Sequence, residues 1–287
     1  MRSVGFIGVG IMGKSMVRNL MKAGFELHIY ARTKSKVEDV IAEGAEFHDS
    51  IAECAAGRDA VITIVGFPED VEEVYFAEGN ILDSAAAGTY LIDMTTTSPK
   101  LAQRIAVEGA QRRFHVLDAP VTGGDTGARD ATLSILVGGE EEDFNACVPL
   151  FKAMGTNINH FGPAGAGQHC KLANQIMIAG SLSGVVEAFA YAEKQGLDLP
   201  LVMKALSTGA AGSKQLDAFG PKIIADDYNP GFFLKHLVKD LRLVKEEGLA
   251  VCLDLEMLET VLGEYEDLLS KGYGDLGTQG LMKRFRP

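Results

Sequence analysis

The first part of the chain alternates short apolar runs with segments of helical periodicity. The apolar runs are rich in Val, Ile and Phe, and Gly or charged residues bound most of them, which is typical of buried strands. We predict strands over Val4–Val9, Glu26–Tyr30, Ala60–Val65, Thr89–Asp93 and Phe114–Ala119, extended by Thr132–Val137 and Asn159–Phe161. The periodicity between them predicts helices over Lys14–Lys22, Lys34–Glu43, Pro68–Tyr75 and Pro99–Gln111. This alternation favours an α/β architecture with a doubly wound parallel sheet and right-handed crossovers.

The pattern changes after the Gly- and Ala-rich run 162–167. Almost everything beyond it has a helical period, beginning with a long helix from Gly167 to Gln195. Further helices are predicted over Pro200–Ser207, Phe233–Glu247 and Leu255–Lys271. We therefore predict a doubly wound domain over residues 1–162 and an all-α domain over residues 163–287. A cleft between two such domains is a common place for a ligand.

Composition narrows the classes of function. The 287 residues fit one large domain or two ordinary ones, and 27 basic against 39 acidic residues give a net charge of −12. That charge disfavours nucleic acid as a partner. The longest apolar stretch, Gln175–Ala192, contains Gly180, Gly184 and Glu187, so we predict no membrane span.

The cysteines and the N-terminus indicate a cytoplasmic protein. The four cysteines are far apart, and neither they nor the six histidines show the spacing of a metal site, so we expect free thiols and no metal. The apolar run that ends at Met12 is followed by no cleavage site of the small-x-small type.

A glycine-rich turn follows the first predicted strand. Gly8, Gly10 and Gly13 form the pattern GxGxxG between that strand and the first helix. In this context Gly8 permits the tight turn, Gly10 lets the backbone approach a pyrophosphate, and Gly13 allows the helix to pack closely on the sheet. The start of the helix then points its positive end at the phosphates. The pattern predicts a dinucleotide site.

The end of the second strand indicates which dinucleotide is bound. An NAD site usually has an acidic residue here for the ribose 2′-hydroxyl, whereas this chain reads Ala-Arg-Thr-Lys-Ser-Lys over residues 31–36. The guanidinium of Arg32 can bind a 2′-phosphate, and Lys36 can add positive charge. We therefore predict NADP(H) as the cofactor, although a solvated basic loop would have the same composition.

Three further segments carry candidate chemistry. The run 118–124, Asp-Ala-Pro-Val-Thr-Gly-Gly, ends a strand in a turn whose amides can hold an anion. The run 165–175, Gly-Ala-Gly-Gln-His-Cys-Lys-Leu-Ala-Asn-Gln, opens the long helix with Lys171. Farther along, Phe232 precedes the run Lys239-Asp240-Leu241. With these motifs in this order, nearly the whole chain resembles the β-hydroxyacid dehydrogenase family, which includes 3-hydroxyisobutyrate dehydrogenase and semialdehyde reductases.

The resemblance implies a Rossmann-type domain followed by a helical domain, and it implies roles for individual residues. Lys171 matches the catalytic lysine, whose ammonium can polarise a substrate oxygen and protonate it. The implied substrate-binding residues are Thr122, Gly123, Gly124, Asn174, Gln175, Phe232 and Asp240. The cofactor-binding residues, including the glycine turn and the basic loop, are Gly8, Val9, Gly10, Ile11, Met12, Gly13, Arg32, Thr33, Lys36, Val65, Gly66, Thr96 and Lys239. Relatives bury the long helix between domains and often between subunits, which implies a homodimer or homotetramer.

Two positions depart from the family pattern. Thr122 replaces the usual serine and keeps its hydroxyl, whereas Gln175 replaces the second asparagine of the lysine motif and is one methylene longer. The run KLANQ is similar to the tartronate semialdehyde reductases, and the run ARTKSK is similar to the NADPH-dependent glyoxylate and succinic semialdehyde reductases. We therefore expect an NADPH-dependent reductase of a short aldehyde or keto acid.

Three alternatives remain open. One is an NAD-dependent dehydrogenase of the 3-hydroxyisobutyrate type that works in the oxidative direction. Another is a non-catalytic NADP-binding scaffold, which would not need Lys171. The third is an imine reductase, a relative that usually replaces the lysine.

Overall fold

The computed structural model describes residues 1–286 and divides the chain into two compact units, Met1–Lys171 and Leu172–Pro287. The boundary lies inside a helix, whereas the sequence placed it between residues 162 and 163. The strands are β1 Ser3–Ile7, β2 Glu26–Tyr30, β3 Glu46–Phe47, β4 Ala60–Thr63, β5 Tyr90–Asp93, β6 His115–Asp118, β7 Val121–Thr122, β8 Leu133–Gly139 and β9 Gly155–His160. The helices are α1 Ile11–Lys22, α2 Glu38–Ala42, α3 Ile51–Ala55, α4 Pro68–Phe76, α5 Ile81–Ser84, α6 Pro99–Gln111, α7 Gly124–Arg129, α8 Glu141–Met154, α9 Ala166–Lys194, α10 Leu199–Ser207, α11 Lys214–Ile224, α12 Leu234–Ala250 and α13 Glu256–Ser270. Short 3₁₀ segments cover Lys34–Lys36, Tyr273–Asp275 and Thr278–Arg284.

The first unit is built on a nine-stranded sheet with the order β3-β2-β1-β4-β5-β6-β8-β7, and β9 pairs with β8. Strands β1 to β6 are parallel, and the order reverses on either side of β1. An open parallel sheet binds its ligands at the carboxyl ends of the strands, next to such a reversal. The predicted α/β doubly wound fold is confirmed.

The central strands are buried on both faces because helices cover the sheet on each side. Along β1, Val4 and Phe6 pack into the core that includes α1, α7 and α8, whereas Ile7 packs into the core that includes α3 to α6. On β4, Ile62 and Val61 divide between the same two cores. A strand buried on both faces is apolar at consecutive positions, and that is the pattern from which the sequence predicted these strands.

The structure differs from the sequence-based prediction in the direction of one strand and in the continuity of one helix. Strand β8 runs antiparallel to β6, so the sheet is not wholly parallel. The reason is the connection, in which β7 and α7 turn the chain back instead of forming a long crossover. The single helix predicted over residues 34–43 is interrupted at the buried Val37, which ends the 3₁₀ segment and caps α2.

The second unit has a core formed by α9, α11, α12, α13 and the last 3₁₀ segment. Helix α9 contributes side chains such as Leu172, Leu182, Val186 and Phe189. Among residues 1–286 it is also the one helix long and apolar enough to cross a bilayer, and half of its most apolar window is buried in the protein. Core helices of globular domains pass the same test, so this gives only weak support for a membrane span.

Candidate functional site

The register of the sheet brings the predicted cofactor segments to one edge. Tyr30, Ile7, Thr63, Asp93 and Asp118 are partners in one row across β2, β1, β4, β5 and β6. Each of these residues ends its strand. The loops that follow therefore begin side by side, and between them they hold the glycine turn, the basic loop, residues 65–66, residues 95–97 and the run 119–124.

The glycine turn is closely packed where the chain must pass and open where a ligand must enter. Gly8 has φ +101°, and a Cβ there would lie 2.1 Å from the carbonyl oxygen of Ile64. A Cβ on Gly13 would lie 2.2 Å from the oxygen of Gly8, so α1 can approach the turn this closely only with glycine. A Cβ on Gly10, by contrast, would meet no atom within 4 Å.

The start of α1 has the features of an anion site. Gly10 is the N-cap, and no side chain caps the first N–H groups of the helix. A helix start of this kind attracts phosphate through its N–H groups and its dipole. Val9 is buried, Ile11 is about half exposed, and Met12 packs partly against the core. The open space at Gly10 fits a pyrophosphate, so residues 8–13 can hold a dinucleotide.

The basic loop follows β2 next to the glycine turn, where the N–H of Gly8 donates to the carbonyl oxygen of Tyr30 at 3.2 Å. Arg32, Thr33 and Lys36 are exposed. The guanidinium of Arg32 forms an ion pair with Asp70, which also accepts from the backbone N–H of Phe67 at the start of α4. Arg32 is thus held at the edge of the sheet with its side chain 68% exposed.

A buried carboxyl group connects the loops after β4 and β5. Oδ1 of Asp93 accepts from the hydroxyl of Thr63 at 2.8 Å and from the backbone N–H of Thr95 at 3.1 Å. The hydroxyl of Thr95 then accepts from the N–H of Val65 at 3.0 Å. These bonds join the loop that contains Val65 and Gly66 to the loop that contains Thr96. The three residues are those expected at the nicotinamide half of the cofactor.

Asp118 anchors the start of α9. Its two carboxylate oxygens accept from the backbone N–H groups of Gly165 at 2.7 Å and Gln168 at 2.8 Å. Close approach depends on glycine, because a Cβ on Gly167 would lie 2.3 Å from the oxygen of Leu136 and one on Gly138 would lie 2.5 Å from Oδ1 of Asp118. Burial raises the pKa of Asp118 although these N–H groups oppose the shift.

Gln168 ties the same helix to the loop after β5. Its Oε1 accepts from the N–H of Thr97 at 3.0 Å, and its Nε2 donates to the carbonyl oxygen of Thr95 at 2.8 Å. Lys171 follows in the second turn of α9 and is buried, with 7% of its surface exposed. The predicted catalytic lysine therefore lies on a helix whose start is bonded to the end of β6 and to the loop after β5.

The predicted carboxylate-binding loop lies beside this region of the sheet. Thr122 pairs with Ser134 at the end of β7 and is half-buried. Gly123 and Gly124 are exposed, with φ values of +133° and +66° that favour glycine. Gly123 is also the N-cap of α7 and has no side-chain cap bond. The loop presents a hydroxyl and backbone N–H groups, which suit a carboxylate.

In the second unit, the predicted substrate residues form a chain of polar contacts. Nδ2 of Asn174 donates to Oε1 of Gln175 at 2.8 Å, and Nε2 of Gln175 donates to Oδ2 of Asp240 at 2.6 Å. Lys239 forms an ion pair with Oδ1 of Asp240 at 2.7 Å. Gln175 and Asp240 are 1% exposed, whereas Asn174 and Phe232 are half-buried.

One group of potential metal ligands involves β2, β3 and the residue after β3. Among residues 1–286, His28, Glu46 and His48 bring three ligand atoms within 4.8 Å of one another. Nη1 of Arg58 lies 3.1 Å from Nε2 of His28 and can only donate. The proton of the neutral His28 ring is then on Nδ1, the nitrogen that faces His48 at 3.0 Å and that a metal would need. The contacts describe a hydrogen-bonded cluster.

Sequence reasoning missed the roles of Asp93, Asp118 and Gln168. Asp118 and Gln168 lie within the motifs that the sequence analysis singled out, but the partners of their side chains are 47 to 73 residues away in the chain. No local pattern reveals contacts of that range. The position of each residue at a strand end or at a helix start was the available signal.

A glycine turn and an uncapped helix start, at the carboxyl edge of a doubly wound sheet, define a dinucleotide-binding protein. The family profile described as the NAD binding domain of 6-phosphogluconate dehydrogenase matches residues 3–162. The profile described as NAD-binding of NADP-dependent 3-hydroxyisobutyrate dehydrogenase matches residues 165–285.

Individual proteins agree with these profiles. An uncharacterized oxidoreductase of Bacillus subtilis is 44% identical over 98% of both chains. The 2-hydroxy-3-oxopropionate reductase of Escherichia coli is 35% identical over 98% of this chain and 96% of its own. The crystal structure of 3-hydroxyisobutyrate dehydrogenase from Salmonella typhimurium has a TM-score of 0.92 and 26% identity, covering 99% of this chain and all of that one.

The chain therefore belongs to the family of NAD(P)-dependent β-hydroxyacid dehydrogenases. It is an oxidoreductase of hydroxyacids with a nicotinamide cofactor. The resemblance drawn from the motifs is confirmed.

Two glycines of the turn should separate ligand binding from folding. Gly10→Ala places a methyl group in the space open to the pyrophosphate, so we expect weaker binding of NADH and NADPH with the free energy of unfolding within about 1 kcal/mol of wild type. Gly13→Ala collides with the backbone oxygen of Gly8, and overpacking of this kind costs about 1–3 kcal/mol. Urea unfolding and fluorescence titration measure the two effects. Unimpaired cofactor binding by Gly10→Ala would contradict the assignment.

The buried Asp93 should make stability depend on pH. Burial raises its pKa from about 3.8 to about 6, so the folded state binds the proton more tightly than the unfolded state. The contribution of Asp93 to the free energy of unfolding therefore falls as pH rises from about 4 to 6, by on the order of 3 kcal/mol.

Asp93→Asn removes this titration, so the stability of the variant relative to wild type should rise over that interval. Urea unfolding between pH 4.5 and 7.5 measures the difference. Asp39→Asn is the control, because Lys14 and Arg18 hold the pKa of Asp39 below its usual range and its difference from wild type should stay flat. A flat difference for Asp93→Asn would contradict the prediction.

Proposed function

We propose that the protein is an NADPH-dependent reductase that transfers hydride to a short aldehyde or keto acid, with Lys171 as general acid. The candidates are glyoxylate, succinic semialdehyde and 2-hydroxy-3-oxopropionate (tartronate semialdehyde). The observation that carries the proposal is the burial of Lys171 on a helix anchored by Asp118 and Gln168. The same two residues belong to the unit that holds the glycine turn.

The chemistry follows from the residue types. A bound nicotinamide supplies the hydride that reduces the carbonyl carbon. As negative charge develops on the carbonyl oxygen, the ammonium group of Lys171 stabilises it and donates the proton that completes the alcohol. Thr122 and the N–H groups of Gly123 and Gly124 hold the carboxylate of the substrate. Neutral Lys171 then recovers its proton from solvent.

The basic loop supports NADPH as the reductant. The end of β2 has no acidic residue beside Arg32 that could bind a ribose 2′-hydroxyl, and Lys36 adds positive charge nearby. One observation favours the alternative, an NAD-dependent dehydrogenase that works in the oxidative direction. Asp70 already pairs with Arg32 and reduces the charge available to a 2′-phosphate. Titration with both cofactors decides between the two candidates.

Arg32→Asp should reverse the cofactor preference. The substitution removes a charge-assisted contact, worth roughly 1.5–3 kcal/mol, and adds a carboxylate beside the 2′-phosphate. We expect NADPH affinity to fall about tenfold or more, with NADH affinity unchanged or improved.

Lys34→Ala is the matched control, because the Lys34 ammonium lies over the ring of Phe47, 4.6 Å from its centroid. Fluorescence titration gives both dissociation constants for each variant. Equal weakening of the two cofactors by Arg32→Asp would show that Arg32 has only a structural role.

Lys171→Ala should remove the proton donor while leaving the dinucleotide site intact. General acid catalysis contributes about 10²–10⁴-fold, so we expect kcat to fall at least about a hundredfold with NADPH affinity near wild type. Lys171→Arg should not restore activity, because a guanidinium stays protonated.

Lys194→Ala, an exposed lysine at the end of the same helix, is the control. Steady-state kinetics and cofactor titration are measured on each variant. Near-normal turnover by a folded Lys171→Ala variant would remove the lysine from the mechanism.

We also propose that the protein forms a homodimer or homotetramer. Several apolar side chains on and after α9 are mostly exposed in the single chain, including Met177 at 75%, Tyr191 at 67% and Leu201 at 65%. Exposed apolar groups of this size are typical of interaction surfaces. A monomer mass in light scattering at micromolar concentration would contradict this proposal.

A further inference from the structure

We infer that Gln175 is a positioning residue, which acts on the substrate through Asn174 and sets which atom of the Asn174 amide faces the substrate. The inference rests on the proposed function and on the substrate-binding role that the family resemblance implies for Asn174. It differs from the role that the family resemblance implies for Gln175. Gln175 is 1% exposed and each end of its amide already makes a hydrogen bond inside the protein, so it presents no exposed polar group to a substrate.

Asp240 determines which group donates and which accepts in the hydrogen bonds that join it to Gln175 and Gln175 to Asn174. Lys239 lies 2.7 Å from Oδ1 of Asp240, and its ammonium compensates the charge of a carboxylate that is 1% exposed. An ionised carboxylate can only accept hydrogen bonds. The amide of Gln175 must therefore turn its Nε2 toward Oδ2 of Asp240, at 2.6 Å.

This orientation determines the next link. With Nε2 of Gln175 bonded to Asp240, Oε1 is the atom that faces Asn174 and it can only accept. Asn174 must then donate through Nδ2, at 2.8 Å, which leaves its Oδ1 available as an acceptor on a residue that is half-buried. Reversing Gln175 would place two acceptors together in a buried site, which costs the full desolvation of an unpaired group.

The chain therefore presents a hydrogen-bond acceptor at position 174 to the substrate. An acceptor suits a donor, and the donor groups of a hydroxyacid are its hydroxyls. A shorter residue at position 175 could not extend as far toward Asp240. The extra methylene of glutamine thus lets the side chain extend from α9 to Asp240 on α12. The group that faces the substrate is Asn174.

A double-mutant cycle tests whether Gln175 acts through Asn174. The variants are Gln175→Met, which keeps the volume without the hydrogen bonds, Asn174→Ala, and the two combined. Turnover is measured with NADPH and 2-hydroxy-3-oxopropionate, glyoxylate or succinic semialdehyde, whichever wild type reduces best. We expect Gln175→Met to lower kcat/KM about tenfold or more in wild type and less than twofold in Asn174→Ala. Equal losses in both backgrounds would overturn the inference.

A pH profile separates hydrogen-bond direction from packing. In Gln175→Glu, the protonated carboxyl can still donate to Asp240 and accept from Asn174, whereas the ionised form cannot donate. The charged groups near this position are Asp240 and Lys239 on α12 and Lys171 one turn earlier on α9. We expect activity close to wild type at low pH and a new fall as pH rises. A profile with the shape of the wild-type profile would overturn the inference.

A measurement without turnover keeps the inference independent of the proposed function. With ¹⁵N-labelled asparagine and glutamine, NMR follows hydrogen exchange of the Asn174 side-chain NH₂, which should be slow in wild type and at least tenfold faster in Gln175→Met. Unchanged exchange would overturn the inference. Wild type that reduces none of the three acids would instead overturn the proposed function, and the exchange result would still decide the role of Gln175.

The matched control is Gln279→Met. Gln279 is a buried glutamine of the same unit whose Nε2 donates to the carbonyl oxygens of Asp227 and Asn229. We expect it to lower the melting temperature as Gln175→Met does, with Asn174 exchange unchanged. If Gln279→Met accelerated that exchange equally, general loss of stability would explain the effect and the inference would fail.

Discussion

The contact between Asp118 and the start of α9 is the constraint on which the rest of the site depends. A carboxylate at the end of β6 accepts from the N–H groups of Gly165 and Gln168, which lie 47 and 50 residues later at the start of α9. Charged hydrogen bonds of this type contribute roughly 1.5–3 kcal/mol each, and they oppose the cost of burying the carboxylate. The raised pKa of Asp118 shows that burial is the larger effect. The protein thus retains a carboxylate whose burial is unfavourable. That carboxylate fixes where α9 begins and therefore where Lys171 lies.

A small number of side-chain hydrogen bonds also holds the loops at the edge of the sheet. Asp93 bonds the end of β4 to the loop after β5, and Gln168 bonds that loop to α9. A dinucleotide that rests on the glycine turn therefore meets loops whose backbone positions are already determined. Preorganisation of this kind favours catalysis because little ordering remains when the ligand binds. Asp93, like Asp118, is buried at a cost to its ionised form.

Much of the fold was readable because its signals are local. The central strands are apolar at consecutive positions, α6 was predicted with its observed bounds, and the glycine turn carries its own steric logic within six residues. Helices α8 and α11 were not predicted, since Pro149 and Pro221 interrupt their patterns. A proline removes one N–H and disfavours a helix interior, but burial of Phe151 and Ile223 in the cores stabilises these helices nonetheless.

The sequence by itself determined the doubly wound domain, the turn at Gly8 to Gly13, and the segment around Lys171, because periodicity and glycine spacing act over a few residues. Only the tertiary structure decided that β8 runs antiparallel, that Arg32 pairs with Asp70, and that Gln175 is buried against Asp240. These outcomes depend on which elements pack together, and the partners are 38 residues apart for Arg32 and 65 for Gln175. The orientation of the Gln175 amide follows from the charge of Asp240, to which it is bonded. No local sequence pattern indicates that orientation.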